Sequence, residues 1–78
     1  MDFYAMEVRK IVNAYGKEVE FNYTNIYFNK NKAVRKAEKI SKNENVLRVC
    51  ILHCVVRDNG TTYVVDESIP YYYIKEMN

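Results

Sequence analysis

The chain has 78 residues, enough for one domain spanning 1–78 and too few to build a deep catalytic cleft easily. Its 49% hydrophobic and 28% charged residues exclude disorder, and with two glycines and one proline there is no linker or low-complexity segment. The formal net charge is only +2, but it is unevenly placed along the chain.

Tyr4, Met6, Val8 and Val12 alternate with Glu7, Arg9 and Ile11, a period of two that predicts a strand. Asn13-Ala14-Tyr15-Gly16-Lys17 supplies a turn, with Gly16 free to take positive φ. Val19, Phe21 and Tyr23 then alternate with Glu18, Glu20, Asn22 and Thr24, so the two segments read as a hairpin. The stretch from Thr24 to Phe28 reads as a connection, with Phe28 tucked into the core.

From Lys30 to Lys42 the period changes. Ala33, Val34, Ala37 and Ile40 fall on one helical face at about 100° per residue. Asn29 suits the N-cap, and Asn43 suits a left-handed residue that ends the helix. Val46 to Arg57, dense in Val, Ile and Leu, predicts a strand. Asp58-Asn59-Gly60 signals a hairpin turn, and Thr61 to Asp66 the return strand. Beyond Pro70, Tyr71-Tyr72-Tyr73-Ile74 reads as a fifth strand or an adherent tail. The expected fold is α+β: a two-layer ββαββ domain, one amphipathic helix on a four- or five-stranded antiparallel sheet.

Charge placement is the most distinctive feature. Residues 30–42 carry six Lys or Arg and one Glu, a net +5 in a chain of +2. Lys32, Arg35, Lys36, Lys39 and Lys42 project away from the Ala33/Val34/Ala37/Ile40 face, an arrangement that attracts phosphates or an acidic protein surface, with Lys32, Arg35, Lys36 and Lys39 the candidate contacts. Such a stripe is equally the ordinary solvated face of a surface helix. Lys30 and Lys32 lie in the first turn, where the helix dipole disfavours cations, and an anionic ligand would offset that cost.

Eight tyrosines form the second feature. Tyr4, Tyr23 and Tyr63 read either as half-buried core or as a sheet face left open to a partner. Tyr71, Tyr72 and Tyr73 read as a contact with a partner or with a second copy. Aromatic residues beside cations could also stack nucleic-acid bases, although their spacing differs from that of RNA-recognition modules.

Catalytic chemistry is hard to place. Cys50 and Cys54 share one side of a strand about 13 Å apart, too far for a disulfide, and His53 points to the other side. The three therefore cannot converge on a metal ion. There is no glycine-rich phosphate loop, zinc spacing or nucleophile elbow, and no cofactor is expected. No segment has the length of a membrane span or the layout of a signal peptide, so no membrane partner and a cytoplasmic location are expected.

The stretch Tyr27-Phe28-Asn29-Lys30-Asn31-Lys32-Ala33-Val34-Arg35-Lys36-Ala37-Glu38-Lys39, followed by a Val-rich strand and Asp58-Asn59-Gly60, resembles small phage and prophage α+β proteins. The anti-CRISPR inhibitors of host defence are one such group. The resemblance covers about half the chain, expresses fold rather than activity, and implies action by binding. Anti-CRISPR proteins that mimic DNA present acidic surfaces, whereas this helix is basic. The departure points to an acidic patch on a host protein, such as a defence nuclease complex, or to nucleic acid. Three expectations follow: a non-catalytic phage inhibitor of a host protein, a nucleic-acid-binding protein, or a self-associating module that forms a homodimer.

Overall fold

A computed structural model describes residues 2–56, 63–65 and 72–76, with side chains for residues 2–55 and Lys75. It is a small α+β domain with one helix on one side of an antiparallel sheet. Three long strands form the body of the sheet, β1 (Asp2–Ala14), β2 (Lys17–Tyr27) and β3 (Val46–Val56), in the order β2-β1-β3. Two short segments, β4 (Tyr63–Val65) and β5 (Tyr72–Glu76), pair antiparallel with β3, near its C-terminal end and along its first half. Helix α1 (Lys30–Ser41) connects β2 to β3.

The β1–β2 hairpin turns on two residues. Ala14 pairs with Lys17, leaving Tyr15 (φ +53°) and Gly16 (φ +76°) as the loop. Two successive positive φ values match the turn whose twist suits a hairpin. β3 pairs with β1 only as far as Lys10, where a bulge shifts the register, and the Ile11 N–H donates to Asn45 O at 2.8 Å. Among the described residues, Val12 to Ala14 pair only with β2, so the hairpin ends in a two-stranded arm.

Strand alternation sorts the β1 side chains as their period requires. Met6 and Val8 meet Val49 and Ile51 on the helix side, and Ala33 and Ala37 close over them from α1; all but Val8 (2%) are fully buried. The two alanines matter because a methyl group lets the helix backbone approach the sheet closely. Val46 joins this core, while Val34, Ile40, Tyr4, Tyr23 and Tyr27 pack around its margin. On the other side Phe3, Ala5 and Cys54 form a smaller cluster against Leu52.

The helix starts where the sequence places it. Asn29 is extended, and its Oδ1 accepts the Lys32 N–H at 3.1 Å. Asn29→Ala is expected to cost about 1 kcal/mol, read as a lower urea midpoint; an unchanged midpoint would mean the cap contributes nothing. At the other end, the expected left-handed Asn43 is not found, since Tyr15 is the one non-glycine with positive φ among the described residues. Lys42 stays right-handed, and the Asn43 N–H donates to Ile40 O at 3.0 Å. Asn43 Oδ1 accepts the Asn45 N–H at 2.9 Å, so the side chain turns the backbone without a left-handed residue. Lys75 Nζ donates to Asn43 O at 3.1 Å and ties β5 to this corner.

A second correction concerns residues 24–28. They do not form a loose connection: β2 runs on to Tyr27, which pairs with Tyr4. Alternation then places Tyr27 on the helix side, and Phe28, one residue later and past the strand end, is 71% exposed rather than in the core. The expected Asp58-Asn59-Gly60 turn lies outside the described residues, as do Arg57, Thr61, Thr62, Asp66 and Tyr71.

Candidate anion-binding groove

The helix packs mainly over β1 and β3, and on edge strand β2 Tyr23 and Tyr27 are half-buried at the margin of the same core. Lys32, Arg35, Lys36 and Lys39 recur at three- and four-residue spacings, so they stack along one flank of α1. That flank overhangs β2. All four side chains are exposed, and together with Tyr27 they line one shallow groove of about 330 Å³.

Four of the five cations expected along the helix are thus brought together, and Lys42 is not among the residues that line the groove. These four share a groove with an aromatic ring from the neighbouring layer. Clustered like charges repel and favour an anion between them, and Tyr27 provides a flat surface and a hydroxyl at the same place. The helix has no acidic residue in its first turn to offset Lys30 and Lys32.

Of the two readings of the tyrosines, half-buried core rather than an open face is the one found for Tyr4 and Tyr23. Tyr4, Tyr23 and Tyr27 lie on the helix side as the margin of the core. The opposite face carries instead Phe3, Ala5, Glu7 and Arg9 of β1, with Cys50, Leu52 and Cys54 as partners in β3. Tyr72 and Tyr73 belong to β5, where the backbone pairs with Ile51 and Cys50; Tyr71 lies outside the described residues.

Tyr27 is the groove residue that the sequence pattern did not single out. The signal was present: extending the alternation of Val19, Phe21 and Tyr23 by two steps reaches Tyr27.

The remaining chemically suggestive groups are held in structural roles. His53 stacks on Tyr4 with ring centroids 4.9 Å apart, and its Nε2 lies 3.1 Å from Asp2 Oδ2. Cys50 and Cys54 are buried on the other face and are not disulfide-bonded, so the three do not converge. Burial raises the Cys54 thiol above the usual range, a backbone hydrogen bond from Ala5 opposes this, and the Glu7 carboxylate adds to it. Among the described residues no group of His, Cys, Asp and Glu is placed to hold a metal ion. A second depression of about 200 Å³, on the opposite face, is lined by Arg9 and Arg48 but also by Glu7, whose carboxylate disfavours an anion there. No helix among the described residues is long and apolar enough to cross a membrane.

Comparison with known proteins finds no matching family model, no similar curated protein and no similar solved structure. The functional reading therefore rests on the groove.

Proposed function

We propose that this is a non-catalytic binding protein whose working surface is the α1–β2 groove, and that its ligand is the phosphate backbone of a nucleic acid. One observation carries this reading: four cationic side chains and a tyrosine from two different elements line the same groove. Lysine and arginine neutralise phosphates and release counterions, a sequence-independent source of affinity. In this reading the two-layer ββαββ plan is extended by β5, and β4 and β5 complete the far edge of the sheet.

The test is a salt titration with a fluorescent oligothymidylate about 20 nucleotides long. If three or four phosphates are neutralised, log K falls against log salt with a slope of about −2 to −3. A flat dependence, or no binding at low salt, would remove nucleic acid as the ligand.

A second reading uses the same surface for an acidic patch on a protein. Its support is the exposed apolar pair Val19 and Phe21, 46% and 49% exposed, further along β2. In that case the chain is a phage or prophage protein that inhibits a host protein, such as a defence nuclease, in the host cytoplasm. A protein interface would add apolar burial to the charge contact and be correspondingly less sensitive to salt.

A further inference from the structure

Tyr27 closes the groove, and further aromatic residues lie along β2 beyond it, past Asn25. Phe21 and Tyr23 lie on the same side of β2 as Tyr27, because they pair with Lys10, Val8 and Tyr4 and strand alternation keeps odd-numbered residues of β2 together. From Phe21 to Tyr27 the strand rises about 20 Å. The Phe21 and Tyr23 rings are neighbours, with centroids 5.9 Å apart and planes tilted by 37°. Phe21 is 49% exposed, a costly position for a phenylalanine without a partner. Lys10, directly across from Phe21, adds a cation beside the far end of the row.

Resting on the reading of the groove as a phosphate-binding surface, we propose that the occupant is single-stranded nucleic acid. Its phosphates follow Lys32, Arg35, Lys36 and Lys39 while its bases stack along Tyr27, Tyr23 and Phe21. A duplex meets the cations equally well, but its bases are already stacked on one another and paired. The aromatic row then has nothing to bind. A single strand offers free π-faces to any exposed ring, whatever the base, so the predicted preference is for strandedness rather than sequence.

The experiment measures affinity of the full chain for an oligothymidylate and for a duplex carrying the same number of phosphates, at one salt concentration. It is then repeated with Phe21→Ala and with Tyr27→Leu, which keeps an apolar group at the core margin. The single strand is expected to bind roughly tenfold tighter or better, and Phe21→Ala to weaken single-strand binding by about tenfold while leaving the duplex unchanged. The half-exposed position of Phe21 makes a folded variant the expected outcome, checked by circular dichroism. Equal affinity for both forms, with no effect of Phe21→Ala, overturns the single-strand proposal and leaves the phosphate-binding groove standing. Failure of both forms to bind at low salt overturns the groove reading, and this proposal with it.

Discussion

Reversing Lys32, Arg35, Lys36 and Lys39 to glutamate is expected to abolish oligonucleotide binding, a loss on the order of a hundredfold or more at low salt. The substitutions turn the one concentrated positive field of the chain negative, so the groove repels the phosphates it would otherwise neutralise. All four side chains are exposed, and Ala33 and Ala37, which hold the helix to the sheet, are untouched. The fold should therefore survive, with a native circular dichroism spectrum. Net charge alone could weaken binding, and a matched comparison separates the two causes. Lys32→Glu with Lys36→Glu changes the charge as much as Lys17→Glu with Lys42→Glu, but only the first pair lies in the groove. Equal losses from the two pairs would show that the groove is not the site.

The second large effect is on stability. Ile51→Ala is expected to lower the unfolding free energy by about 2–5 kcal/mol, measured by urea denaturation. Ile51 is fully buried in the cluster of Met6, Val8, Val49, Ala33 and Ala37, where the alanines are too small to fill the space left behind. A domain of this length has a small core, and total stabilities of about 5–15 kcal/mol leave little reserve for such a loss. The melting temperature should fall by about 4–8 °C for each kcal/mol. Ile26→Ala provides the contrast: Ile26 is 51% exposed, and its removal should cost well under half as much. Similar costs at the two positions would mean that the helix–sheet core is not where these contacts place it.

The two predictions draw on different parts of the same helix. Its buried stripe is read by stability, and its basic flank by binding. Because Ala33 and Ala37 sit one step along the helix from Lys32 and Lys36, a single rotation of α1 about its axis would bury one set at the expense of the other. The buried alanines thus fix the direction in which the cations point.

Much of this was legible in the chain because it depends on local physics. Alternation in β1 placed Met6 and Val8 opposite Glu7 and Arg9, the helical period assigned Ala33 and Ala37 to the core, and Asn29 announced the helix start through a side chain that reaches three residues ahead. Strand geometry alone kept Cys50 and Cys54 apart and turned His53 away from them. The clustering of Lys32, Arg35, Lys36 and Lys39 was likewise a matter of spacing.

What the groove contains was decided only in three dimensions. Nothing local shows that the helix settles mainly over β1 and β3 with its basic flank beside Tyr27 of β2; that depends on how the short alanines fit against Met6, Val49 and Ile51. The pairing of Tyr27 with Tyr4 extended β2 past the point where Thr24-Asn25 weakens the strand pattern, and it carried Tyr27 inward and Phe28 outward. The end of the helix followed the Asn43 side chain rather than a left-handed backbone, because hydrogen bonds at the Asn43 N–H, side chain and carbonyl satisfied the corner without one. Periodicity determines which residues share a face. Packing between elements determines which faces meet, and the meeting of a basic helix flank with an aromatic strand edge is what makes this surface a candidate site.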